Sequence, residues 1–378
     1  MLPSLSSPRA AMLAGFGAFG ASTGAWSGSI PTVMRNAGVD EYRFGIMATV
    51  ATAATILAMV LGGRLARHLP VRHLLLAFMP MVGLAAGLFL LSASPWGLAA
   101  AFVVFGFAYG MGDLFINTEA SSIEHDEKRP IFTGFHASGS SMAAVFAILS
   151  SLTSVLVGTW ATALMVAAVY GLAILMIYRH VPLRPLAAAM AQGHAPLNRG
   201  LLSVLGLALG LVIAAETASL IWSAKLLQDL SPRLAAVAGA GAAFYAFCAA
   251  LVRLKGDALR ARFGEKPVMV ASLILSVVSF AALGLNPSFT GNVIAFAGVG
   301  VGLALLCPCL YALAAGTAPA NRAGALGFVS GIAGAPRILS PYAFGLVASW
   351  TSVSGAYGFS AVVVAVALGL ILMLPARF

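Results

Sequence analysis

Between Leu98 and Ile116 the chain carries a single charged residue, Asp113, and stretches just as apolar recur along its whole length. A helix needs about 20 apolar residues to cross a hydrocarbon layer roughly 30 Å thick. Twelve such stretches can be read, near 10–34, 42–61, 74–94, 97–120, 131–157, 160–178, 200–227, 234–252, 268–287, 291–315, 324–349 and 353–375. Lipid offers backbone amides no partner, so only helices or closed strand barrels can span it. Barrel strands would appear as segments of about ten residues with alternating polarity, and these runs do not alternate. Composition agrees. Hydrophobic residues make up 61% of the 378 and charged residues 8%, against about a quarter charged in a soluble domain. The expectation is an all-α integral membrane protein with 12 transmembrane helices.

The net charge of +10 invites a nucleic-acid reading, but its distribution follows the loops instead. With a cytoplasmic N-terminus, alternate loops hold Arg9, Arg64, Arg67, Arg72, Lys128, Arg129, Arg179, Arg184, Arg199, Arg253, Lys255, Arg260, Arg262, Lys266, Arg322 and Arg377. The opposite loops hold only Arg35, Arg43, Lys225 and Arg233, and Arg337 falls inside a span. Cytoplasmic enrichment of Lys and Arg is the positive-inside pattern. It places both termini in the cytoplasm and accounts for the charge as topology. The first span has no small-residue cleavage site and reads as a retained helix rather than a signal peptide. Cys248, Cys307 and Cys309 all fall within spans and read as reduced packing residues.

The longest polar interruption, residues 179–199, divides the chain into residues 1–178 and 200–378, six spans each. Trp26-Ser27 in the first span and Trp222-Ser223 in the seventh lie 196 residues apart. The breaks "GGRLARHLPVRH" and "KGDALRARFGEK" align Gly62 with Gly256 at a spacing of 194. Two landmarks in one order at nearly one spacing predict a duplicated six-helix bundle. Internal symmetry of this kind marks transporter folds whose substrate site lies between the repeats near the midplane.

Asp113, Asn117, Glu124, Arg129-Pro130 and His136 sit at the spacing of a "D…N…E…RP…H" signature, through which the chain resembles the major facilitator superfamily, and within it the fucose-permease-like branch with its rhizopine-associated and uncharacterised inner-membrane permeases. Glu216 precedes Trp222-Ser223 by six. Gly300, Gly302, Ala304 and Pro308 resemble a Gly-x-Gly-x-Ala…Pro pattern, and Pro341 and Gly345 match the eleventh span. Other positions depart from the family. The loop after the second span has Arg67 where an acid is usual and Pro70 where a glycine is usual, and Ile221 stands where an Asp often precedes the Trp. The resemblance implies two pseudo-symmetric bundles in a bacterial inner membrane, a monomer, and transport of a small sugar- or cyclitol-like solute by alternating access.

The residues that could carry chemistry are those with a cost to explain. An ionised side chain at helix centre costs roughly 2.5–3.5 kcal/mol on insertion scales. Asp113 shares a helical face with Gly106, Tyr109, Gly110 and Asn117 by i, i+3 and i+4 steps, a face suited to a cavity wall. His136 lies at a similar depth on the next, antiparallel helix. Contact would stabilise both charges and provide a proton relay; a packing histidine is the alternative. Glu216, on one face with Ser219 and Ser223, is the second deep acid, so each half offers one coupling carboxylate. Arg337 stays charged and needs a counter-ion: Asp113, Glu216, or an anionic substrate. Trp26 and Trp222 read either as cavity rings or as interface anchors. Substrate contacts are thus expected from Trp26, Tyr109, Asn117, Ser219, Trp222, Ser223, Tyr311 and Arg337. Arg64, Arg67, Glu124, Arg129, Asp257 and Arg262 are the candidates for a cytoplasmic gate.

No loop is long enough to house an ATPase, and the chain lacks a phosphate-binding glycine loop, a metal-ligand cluster and a nucleophile–base pair at recognisable spacing. Cys307-Pro308-Cys309 resembles the ion motif of copper pumps, but those enzymes need large cytoplasmic domains. The expectation is a secondary transporter, not an enzyme, with no cofactor and no metal, coupled to protons through Asp113, Glu216 and His136. A proton-driven exporter of drugs or amphiphiles, and a receptor or scaffold that transports nothing, are the alternatives.

Overall fold

Six helix starts are written in short polar residues. In the computed structural model, Ser7, Asp40, Ser94, Ser288, Asn321 and Ser352 each accept a hydrogen bond from a backbone N–H three residues on, meeting donors that the first turn leaves unpaired. Pro8 and Pro95 follow two of these caps, where a missing N–H is harmless. The structure describes residues 7–66, 68–128, 131–183, 197–318 and 321–374, with backbone alone at Asp257 and Ala323.

Among the described residues there are 13 α-helices and no strand. They are α1 (Pro8–Ala37), α2 (Glu41–Leu65), α3 (Val71–Leu90), α4 (Pro95–Glu127), α5 (Phe132–Leu156), α6 (Thr159–His180) and α7 (Arg199–Leu230), then α8 (Ala240–Phe263), α9 (Glu265–Leu285), α10 (Phe289–Leu303), α11 (Leu306–Thr317), α12 (Arg322–Trp350) and α13 (Val353–Leu372). Ten segments among the described residues are long and apolar enough to cross a membrane, counting Phe289–Thr317 as one. With α1 and α12, of 30 and 29 residues, these make the 12 expected spans.

The tenth span corrects the sequence reading, which took 291–315 as continuous. It breaks at Ala304–Leu305, between α10 and α11. The cause lies four residues on: Pro308 has no N–H to give the Ala304 carbonyl.

Two compact units are present, residues 1–188 with 223–243, and residues 189–222 with 244–378. In the first, α1 packs chiefly on α5, and α4 on α2 and α3. The α1–α5 crossing depends on Gly20, Gly24 and Gly28. A Cβ at each would collide with backbone of Gly139, Ala143 and Ala147 in turn, the small-residue contact by which membrane helices approach closely. The same unit takes in the end of α7, a 3-10 turn at Pro232–Val237 and the start of α8. There Ser151 Oγ donates to Ala235 O at 3.0 Å, and Lys225 bridges Glu41 at 2.8 Å and Asp229 at 2.6 Å. In the second unit, α9 lies against α10 and α13, and α12 against α11 and α13.

The duplication is written into the contacts. Gly106 meets the backbone of Ala51, and Gly300 meets that of Tyr245; Gly62 meets Met111, and Gly256 meets Leu305. All four second-half residues lie 194 positions after their first-half counterparts, the offset of the Gly62–Gly256 alignment. At that offset Asp113 falls on Cys307 and Asn117 on Tyr311.

Candidate functional site

In the first unit, Asn117 holds Asp113. Its Nδ2 donates to Asp113 Oδ1 at 2.9 Å and to the Asp113 carbonyl at 2.8 Å, the geometry of residues one turn apart. Tyr109, one turn earlier, meets the edge of Phe19 at 5.0 Å, with its hydroxyl 3.5 Å from Thr23 Oγ1. Gly106 and Gly110 do not join this wall as the helical face suggested. They are spent on the α2 crossing, where their missing Cβ atoms admit the backbone of Ala51 and Thr55. A face spanning i, i+3 and i+4 is wide enough to serve two neighbours, and the glycines lie on its α2 edge.

Trp26 is half-buried among Phe89, Phe102 and Phe105, and its Nε1 is buried without a hydrogen-bond partner among the described residues. Ser22, one turn before it, shares a 3.1 Å hydrogen bond with the Tyr170 hydroxyl. His136 is exposed on α5, with ring centroids 4.9 Å from both Phe16 and Phe132.

The second unit holds a charged cluster that composition alone did not assemble. Tyr245 Oη donates to Glu216 Oε1 at 2.8 Å, and Arg253 Nη2 reaches the same oxygen at 3.3 Å. Arg253 Nε also donates, at 3.3 Å, to the Ala304 carbonyl that Pro308 leaves without its helical donor. One guanidinium thus neutralises the acid of α7 and closes the break between α10 and α11. Arg253 is thus not a loop residue but a helical residue of α8, nearly three turns short of its end at Phe263. Only its distance from Glu216 in sequence concealed the pair.

Ser219 and Trp222 are fully buried. Ser219 Oγ donates to the Ala215 carbonyl, and the Trp222 ring stacks on Phe344 at 5.1 Å. Ser223, placed in the first unit, is buried with its Oγ unpartnered among the described residues. Tyr311 and Ser330 share a 3.4 Å contact between hydroxyls. Cys307 lies one turn before Tyr311 on α11.

Of the gate candidates, Glu124 has a local task. Its Oε2 accepts the N–H groups of Ile131 and Phe132 at 2.8 and 2.6 Å, setting a carboxylate on the N-terminus of α5, where the helix dipole favours it. Arg64 is exposed, and Arg262 lies over the Phe263 ring at 5.1 Å. Arg67, Arg129 and the side chain of Asp257 lie outside the described residues. No group of three or more His, Cys, Asp or Glu able to hold a metal exists among the described residues.

Twelve apolar spans in duplicated halves, each with a polar cluster at mid-span, define a polytopic helical membrane protein built to carry a solute. Residues 11–236 and 204–377 match the Major Facilitator Superfamily. The chain belongs to that superfamily and is a membrane transporter of a small molecule. It is 28% identical over 350 residues to an uncharacterized transporter, y4wD, of Sinorhizobium fredii, covering 91% of this chain and 92% of that one. It is also 28% identical over 355 residues to an uncharacterized MFS-type transporter of Yersinia pestis, covering 90% and 88%. The Membrane protein MosC of Rhizobium meliloti is 23% identical over 312 residues, covering 81% and 75%. In fold it is similar to the crystal structure of the nucleoside transporter NupG (D323A mutant), with a TM-score of 0.80 at 16% identity over 96% of this chain and 98% of that one.

Proposed function

We propose that the chain is a proton-coupled secondary transporter that moves a small hydroxylated solute across a bacterial inner membrane by alternating access, as a monomer with both termini in the cytoplasm. The observation that carries this reading is the Glu216 carboxylate, shared between a phenol and a guanidinium beside a helix break. A proton delivered to Glu216 cancels the charge that holds Arg253, and Arg253 is also what closes the break. Protonation and the conformation of the tenth span are therefore linked through one side chain. Asp113, oriented by Asn117, supplies the second coupling carboxylate. The ring-lined Tyr109 and Trp26 suit a sugar-like solute, and a structural relative is a nucleoside transporter.

Two measurements test this. In proteoliposomes with an imposed pH gradient, Asp113→Asn is expected to abolish uphill accumulation while leaving solute exchange intact. Undiminished accumulation removes Asp113 from the mechanism. The second concerns the Lys225–Glu41–Asp229 bridge, which ties α7 to α2 where the non-basic loops lie. Entry of solute from that end requires this contact to open. Consider a cysteine at Ser151, under the 3-10 turn, in a chain free of other cysteines. It is expected to react several-fold faster with an impermeant maleimide once Lys225 is replaced by Met. Equal rates exclude the bridge as a latch. Because all three side chains are partly exposed, Lys225→Met should cost no more than about 1 kcal/mol of stability.

A further inference from the structure

Arg337 sits midway along the 29 residues of α12, between Pro336 and Pro341. A guanidinium there does not lose its proton, and its insertion is costly. Its own carbonyl is also exposed by sequence, because Pro341 has no N–H to return to it. Ser340 Oγ donates to that carbonyl at 3.2 Å, so the backbone around the arginine is satisfied locally. Its charge is not. The acid nearest in function, Glu216, is taken by Arg253 and Tyr245, and among the described residues no acid pairs with Arg337.

Its direction follows from the helix. Ser330 and Arg337 are seven residues apart and so lie on one face. Ser330 is joined to Tyr311 of α11. The α12 face that carries Arg337 is therefore the one that meets Tyr311 of α11, in the same unit as Glu216 and Arg253. Val329, Ala333 and Pro336 lie on another side, against Gly206 and Gly210 of α7. Glu216 cancels Arg253, and Arg337 keeps its single positive charge.

We infer that the transported solute bears a carboxylate, which Arg337 receives as a two-pronged ligand while Tyr311 and Ser330 meet hydroxyl groups beside it. This rests on the transporter reading above and names its substrate class. A planar guanidinium matches a carboxylate through two parallel N–H···O bonds. Its single charge balances a monoanion. A phosphate ester, at about −1.5 to −2 near neutral pH, would exceed the one charge that Arg337 can balance.

The test needs no variant at its first step. The purified full-length protein is titrated with D-gluconate and D-glucuronate, then with D-glucuronamide, D-glucose and D-glucose 6-phosphate, following thermal stabilisation. Charge-assisted hydrogen bonds contribute about 1.5–3 kcal/mol, so an acid is expected to bind about 10- to 100-fold tighter than its amide. Arg337→Gln should remove that preference, and Arg337→Lys should keep part of it. The inference is overturned if the amide or the neutral sugar stabilises as well as the acid, if the phosphate ester outcompetes both acids, or if neither acid stabilises. It is also overturned if Arg337→Gln binds the acid unchanged. Counterflow in proteoliposomes separates the two levels: flux of the neutral sugar sinks the carboxylate and keeps the transporter, while absence of flux for all five solutes counts against both.

Discussion

Gly24→Leu is expected to destabilise the fold by about 3 kcal/mol or more. Gly24 is the centre of three glycines at which α1 lies on α5. A Cβ there would stand 2.8 Å from Ala147 N and 2.9 Å from the Ala143 carbonyl carbon. The obstruction is main chain, which no rotamer change can relieve. Overpacking of a core costs typically 1–3 kcal/mol when side chains can yield, and here they cannot, so about 3 kcal/mol or more is expected. Against a native stability of about 5–15 kcal/mol, that loss is a large share. Gly87→Ala and Gly171→Ala are the controls, because nothing lies within 4 Å of a Cβ at either position. Both lie inside helices, where alanine is favoured over glycine by up to about 1 kcal/mol. Detergent-solubilised yield and melting temperature are the readouts. A Gly24→Leu protein that melts with these controls would show that α1 and α5 are free to separate without loss of fold.

What the sequence made legible was what lipid enforces. Span number follows from hydrophobic length, because a membrane leaves a chain few alternatives. The duplication was visible at Gly62 and Gly256 because both glycines do the same job against Met111 and Leu305. The break in the tenth span was marked by Pro308, but hydropathy does not register a missing N–H. The roles of Gly106 and Gly110 were misread because small residues serve a cavity and a helix crossing alike, and only the neighbouring backbone distinguishes them. Arg253 was hidden for another reason. A basic residue near the end of a span reads as loop, and its acid lies 37 positions earlier in the chain. Glu124 shows what motif matching leaves out: its spacing suggested a gate, and the structure adds that the carboxylate caps α5. Pairings that depend on which helices are neighbours require coordinates.

The Glu216–Arg253 pair should part stability from coupling. Arg253→Leu leaves an acid in an apolar span with Tyr245 as its remaining donor, and it strips the Ala304 carbonyl of its partner. Breaking a fully buried pair costs about 3–5 kcal/mol. With side chains 38% and 26% exposed, about 1–2 kcal/mol is the fitting expectation. Glu216→Gln in the same chain removes the unpaired charge and should restore most of that loss, leaving only the orphaned carbonyl. Transport should not follow stability. Glu216→Gln, alone or combined with Arg253→Leu, has no proton to bind at this site, so a pH gradient should drive no accumulation beyond equilibration, while exchange of solute continues. A structural ion pair would give the opposite pattern, with the rescued double variant regaining uphill uptake along with its melting temperature. The decisive comparison is therefore the double variant, in which the fold is mended and the titrating group is absent. If its accumulation matches the unaltered protein, Glu216 is only a brace for the broken helix, and coupling must be sought at Asp113 alone.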